Sequence, residues 1–177
     1  MEVSLNADHK KISAKAVAHM KGPALVKGIA HFTEFDVDGS KYVHIKLEVT
    51  ADPSVFTEGQ HAVHIHEKAS CDCDGFKCAG GHFDPGPNGN TDPDANHGYH
   101  SGDLPSIRID SKGHGILEAI TTRVTLSDGP VSLFGKESAP EGTSLMIHAH
   151  IDPHTPGESG SGHSGGPRLA CGTIDKV

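Results

Sequence analysis
The chain reads as an all-β domain, a sandwich or barrel of about eight antiparallel strands. Two observations predict this. Apolar residues recur with a period of two and not 3.6, as in Lys41–Thr50, where Val43, Ile45, Leu47 and Val49 alternate with Tyr42, His44, Lys46 and Glu48. Gly 22 and Pro 11 in 177 residues supply many turns and leave little room for long helices.

The strands follow in order. Runs of strand character span about 12–20, 25–35, 41–50, 60–67, 106–110, 115–122, 143–151 and 168–175. Turn chemistry separates several of them: Val37-Asp38-Gly39, Ser111-Lys112-Gly113 and Ser127-Asp128-Gly129-Pro130. With no internal repeat or linker, residues 1–177 read as one domain. Trp is absent and aromatics make up 5%, so Val, Ile, Leu and Ala must build the core.

Two segments break the pattern. Glu67–Asp103 is rich in Gly and Pro and holds three His and three Cys; Asp152–Pro167 is rich in Gly, Ser and His. Loops this long serve function or are ordered by a metal or a disulfide. Cys71, Cys73, Cys78 and Cys171 allow three pairings, and a zinc site in the first cluster is an alternative. Two disulfides would favour an oxidising compartment.

His64-Ile65-His66 is the most informative motif. Residues i and i+2 of a strand share a face, so the two imidazoles project together. His82 and His148 could complete a four-nitrogen set, which suits Cu(II). The composition supports this, with 15 His against 15 Lys plus Arg. The net charge of −8 and the lack of a basic cluster exclude nucleic acid as the expected partner. No apolar run reaches membrane-spanning length. The residues after Met1 do not form a signal peptide, so the chain is either cytosolic or exported with its signal removed.

Several motifs together carry a family resemblance: His61-Ala-Val-His64-Ile-His66-Glu67, Ala79-Gly-Gly-His82-Phe-Asp-Pro85, His100-Ser-Gly-Asp103-Leu-Pro105, Ser144-Leu-Met-Ile-His148 and Arg168-Leu-Ala-Cys171-Gly172. In this order they resemble the copper–zinc superoxide dismutases, and Gly-Asp-Leu-Pro with the short step from His66 to Cys71 looks most like the bacterial, exported branch. The family is itself a standard example of sandwich architecture and electrostatic steering.

The resemblance implies an eight-stranded Greek-key β-barrel and disproportionation of superoxide anions to dioxygen and hydrogen peroxide. It assigns copper to His64, His66, His82 and His148. It assigns zinc to His82, shared as an imidazolate bridge, with His100, Asp103 and one further His. The usual position of that His falls near Asn90 and Thr91 here. His97 is the best substitute, with Asp92, Asp94 or an empty site as alternatives. His61 and Asp152 become groups that orient ligands from behind. Arg168 becomes the cation that binds superoxide. His150, His154 and His163 have no motif support and read as surface residues, or at most as weak extra metal contacts.

By the same resemblance Cys171 pairs with one cysteine of the cluster, Cys71 being the favoured partner, a closure worth about 4–5 kcal/mol in the chain-entropy model; Cys73–Cys78 would then be an extra small bridge. The implied location is extracellular or periplasmic, with the cytoplasm as the alternative. A homodimer is one option for the assembly. A copper-delivery module on the same fold is the rival reading, and an interaction domain that binds metal incidentally is a second.

Overall fold
The computed structural model describes residues 10–95 and 99–177. His97 and the leader reading at Met1–His9 therefore lie outside the described residues. Eight strands follow in chain order: β1 (Lys10–Lys21), β2 (Lys27–Val37), β3 (Ser40–Thr50), β4 (Gly59–His66), β5 (Asp103–Ile109), β6 (His114–Thr121), β7 (Ser144–His148) and β8 (Arg168–Lys176). They close into a barrel in the order β1-β2-β3-β6-β5-β4-β7-β8, with every pair antiparallel. The chain skips from β3 to β4 and from β6 to β7, which gives Greek-key connectivity. Closure leaves no open sheet edge.

The period-two pattern becomes an inside and an outside. Val43, Ile45, Leu47 and Val49 of β3 are buried in the core with Phe32, Ile107, Ile109 and Leu145. Strand β4 differs because both its faces are covered. Val63 and Ile65 enter the barrel core. His64 and His66 take the opposite face and are still fully buried. The two long loops supply their contacts on that side, through Asp152 and the Gly80 carbonyl.

The run expected over 143–151 ends as a strand at His148. The pairing with β8 shifts register between Ile147 and His148. Ala149 and His150 then donate to the Pro167 and Gly165 carbonyls instead. Such a bulge re-aims a side chain, here that of a motif histidine. The described residues also hold a six-residue 3-10 turn, Asp74–Ala79, kinked at Gly75 and Phe76.

Side-chain carboxylates and cystines order the loops. Cys71 is bonded to Cys171 and Cys73 to Cys78, which leaves no free cysteine and no thiolate for a zinc site. Asp94 accepts from Gly162 N (2.9 Å), Ser164 N (3.1 Å) and Ser164 Oγ (3.1 Å), so it ties the first loop to the second. Asp92 accepts from Ser159 Oγ across the same seam. Elsewhere in the barrel, the buried Glu34 of β2 accepts from Ser13 Oγ, Leu126 N and Ser127 N. Those bonds clamp the chain after β6 onto the β1–β2 hairpin.

Candidate metal centre
Strand β4 sets out His64 and His66 on one face. Across the ladder His64 lies opposite both Met146 of β7 and Asp103 of β5. His82 arrives from the first loop and forms an isolated bridge with His66. That approach requires glycine before it: a Cβ on Gly81 would meet the Thr91 carbonyl oxygen at 1.7 Å. On the other side, a Cβ on Gly165 would lie 2.9 Å from His148 Cβ, and its φ of +126° disfavours a side chain in any case.

His64, His66, His82 and His148 are all buried, and each offers a ring nitrogen within 4.8 Å of the others'. Three of these rings have one nitrogen tied outward. His64 Nε2 meets Asp152 Oδ2 at 2.8 Å, His66 Nδ1 meets the Gly80 carbonyl at 3.0 Å, and His148 Nδ1 meets the Gly166 carbonyl at 3.1 Å. Inward, His64 Nδ1 and His82 Nε2 have no hydrogen-bond partner, and His66 Nε2 faces His148 Nε2 at 3.4 Å. A buried polar atom left unpaired costs about 1–3 kcal/mol. Four inward imidazole nitrogens fit a cation, and a nitrogen-only set fits copper.

A second group shares His82. Its Nδ1 lies 3.2 Å from His100 Nδ1 and 2.8 Å from Asp103 Oδ1, and all three side chains are buried. The Asp103 oxygen is close but not aligned as an acceptor, which leaves it unpaired as well. Two imidazoles and a carboxylate fit zinc. Asp103 is held by the His100 backbone N–H (2.9 Å). Arg123, which the sequence reading did not single out, donates to the carbonyls of His100 and Asp103.

Electrostatics suit cation binding. Burial, and then the neighbouring His82 and His148, push His64 and His66 well below the usual histidine pKa. Burial brings His148 down to about 3. All three rings are therefore neutral near pH 7, the form in which imidazole can bind a cation. For Asp103, burial alone would raise the carboxyl, but the adjoining His100 and His82 rings outweigh it and hold it far below its ordinary range.

Other expected residues fall around this centre. His61 leaves the ligand face and has its nitrogens 2.8 Å from the His148 and Thr57 carbonyls. Arg168 is half-buried, donating to Phe76 O and Gly80 O at 2.7 Å each. Burial lowers its pKa. It nevertheless stays charged, as guanidinium does in proteins. Asp92 and Asp94 are committed to the loop seam and join neither metal group. His154 is more than a surface residue. Its backbone N–H donates to Asp152 Oδ1 at 2.7 Å, and its ring packs on Tyr99 at 4.9 Å. The sequence signal for this was only its place two residues after Asp152.

Comparison with known proteins decides the family. The model of the family described as Copper/zinc superoxide dismutase (SODC) matches residues 26–174. The chain belongs to the copper/zinc superoxide dismutase family. Superoxide dismutase (Cu-Zn) 1 of Aquifex aeolicus is 37% identical over 134 residues, covering 75% of this chain and 72% of the relative. Superoxide dismutase (Cu-Zn) of Deinococcus radiodurans is 36% identical over 143 residues, with the same coverage. A solved structure titled as the clock protein EA4 superposes with a TM-score of 0.69 at 23% identity, covering 94% of this chain and 97% of that one. That likeness speaks for the fold alone. Family membership makes the activity that of a superoxide dismutase and the cofactors copper and zinc, and the structure offers two buried side-chain groups that could hold metal.

Proposed function
We propose that this chain removes superoxide, converting two anions and two protons into dioxygen and hydrogen peroxide. In this reading copper is held by His64, His66, His82 and His148, and zinc by His82, His100, Asp103 and His97. The supporting observation is the set of buried inward nitrogens, two of them unpartnered, in rings whose outer nitrogens are tied. Bound copper supplies one-electron redox chemistry, and bound zinc supplies a fixed charge without redox chemistry.

The protein does the rest. Asp152 fixes the orientation of His64 through Nε2, and the Gly80 and Gly166 carbonyls fix His66 and His148. His82 has a ring nitrogen in each group, so Nε2 can hold or release a proton while Nδ1 stays with His100 and Asp103. Arg168 uses two N–H groups on carbonyls. Its remaining donors and its charge are left for an anion. A copper carrier would have no need of such a cation. His97 remains the fourth zinc ligand in this reading, since Asp92 and Asp94 are engaged elsewhere. An exported location is supported by two disulfides in one small chain.

The test is product stoichiometry. Purified protein loaded with copper and zinc should yield dioxygen and hydrogen peroxide in equal amounts from a superoxide pulse. Peroxide without matching dioxygen would mean a reductase, and no decay above buffer would remove the enzymatic reading.

A further inference from the structure
Neither Cys73 nor Cys78 belongs to the two metal groups, and the proposed mechanism does not use their bridge. It differs from the Cys71–Cys171 bridge in exposure. Cys71 and Cys171 are 4% and 0% exposed and share a buried cluster with Ala79 and Met146. Cys73 and Cys78 are half-buried and close a tight turn at the surface.

That turn carries one of the two acceptors for Arg168. The guanidinium donates to Phe76 O and Gly80 O, 2.7 Å each. The two carbonyls are not held equally. Gly80 is flanked by backbone pairing, with Lys68 N donating to Ala79 O and Glu67 N to Gly81 O. Gly80 O also accepts from His66 Nδ1. Phe76 sits in mid-turn with φ of 53°, directly after Gly75 with φ of 62°. A residue with a side chain rarely adopts this left-handed region and stays there only when its surroundings hold it. The holding groups are its ring, packed on the buried cystine cluster, the Phe76 N to Cys73 O bond, and the disulfide that spans it.

We propose that the Cys73–Cys78 disulfide is a positioning device for Arg168, keeping the Phe76 carbonyl where the guanidinium needs it. A planar fork held by two acceptors is fixed in plane; held by Gly80 alone it can swing. The Cys71–Cys171 bridge joins the same loop to β8, but it encloses a separation of 100 residues, whereas Cys73–Cys78 closes a step of 5 around Phe76 and constrains it far more tightly. The proposal rests on Arg168 being the substrate-guiding cation.

The test uses the metal-loaded Cys73→Ser/Cys78→Ser variant, which leaves Cys71–Cys171 intact. Its first readout is independent of activity: the rate at which phenylglyoxal modifies Arg168, mapped by mass spectrometry against the exposed Arg108. Modification of Arg168 should quicken several-fold in the variant while copper and zinc contents stay at wild-type values. The second readout is superoxide decay at low ionic strength, in the native and Arg168→Ala backgrounds. The cysteine change should slow the native background several-fold and leave the Arg168→Ala background unchanged. Unchanged Arg168 reactivity, or an equal slowing in both backgrounds, overturns the proposal. If Arg168→Ala keeps the full rate, the guidance reading fails, and the modification rate alone decides the positioning. If the variant does not fold, mild reduction of the wild type opens the half-exposed bridge first, as alkylation mapping checks, and the same modification rate is measured.

Discussion
Glu34 shows how a single residue can matter for stability without touching the reaction. It lies on the inward face of β2, in register with Ala30 and Phe32, and is fully buried. Burial would raise its pKa, but bonds from Ser127, Ser13 and Leu126 prevail and lower it. The folded protein therefore prefers the ionised form. The resulting stability is present above the ordinary carboxyl range near pH 4.5 and is lost as pH falls through the lower folded value. Glu34→Gln should cost about 1–3 kcal/mol at pH 7, because backbone donors at Leu126 and Ser127 lose a charged acceptor. Calorimetry of both proteins from pH 7 to 3 should show the gap in melting temperature closing in acid. Comparing the two cancels the loss of metal that they share. A gap that stays constant would mean that Glu34 is not ionised in the folded state. Strand alternation alone puts position 34 inside, so its burial was legible; its partners at 126 and 127 were not.

At the scale of elements, the strands were readable and the loops were not. Alternation in β3 and the His64–Ile65–His66 spacing follow from local geometry, and so were visible in the sequence. The bulge after Ile147 and the turn at Phe76 depend on contacts with residues far along the chain, for which spacing carries no signal. The same holds for Asp94: a zinc alternative by position, it instead caps the second loop. Assignment of the last zinc position to His97 gives a prediction for the first loop. His97→Ala should lower zinc content and melting temperature while copper and some activity persist, because metal bound only by the folded state stabilises it. Elemental analysis and a thermal melt of the metal-loaded variant check this. Unchanged zinc would move the ligand elsewhere. By contrast, Asp94→Asn should leave zinc in place and raise the protease sensitivity of both loops.

At the scale of the whole molecule, an anion must reach a protein of net charge −8. The second loop, Asp152–Pro167, contains no Lys or Arg. On the proposed reading Arg168, with the metal cations behind it, carries an unusually large share of the local attraction. Charge reversal by Arg168→Glu should slow superoxide decay by about tenfold or more, within the 10–10³ range of steered association for which this family is a standard case. Arg168→Lys should slow it far less, and both variants should keep copper. The wild-type rate should also fall as salt rises, since attraction is screened over about 10 Å at 0.1 M. Stopped-flow decay against ionic strength checks both points. A salt-independent rate together with a harmless charge reversal would make Arg168 a structural group.

In the proposed mechanism four histidines from β4, the first loop and β7 make one copper site that carries the activity. Titrating zinc-loaded, copper-free protein with Cu(II) while following superoxide decay tests it most directly. Activity should rise in proportion to copper and stop at one equivalent per chain. Under the same titration, His148→Ala should stay folded and inactive. Activity that rises without saturating, or a His148→Ala protein that matches the wild type, would contradict the assignment.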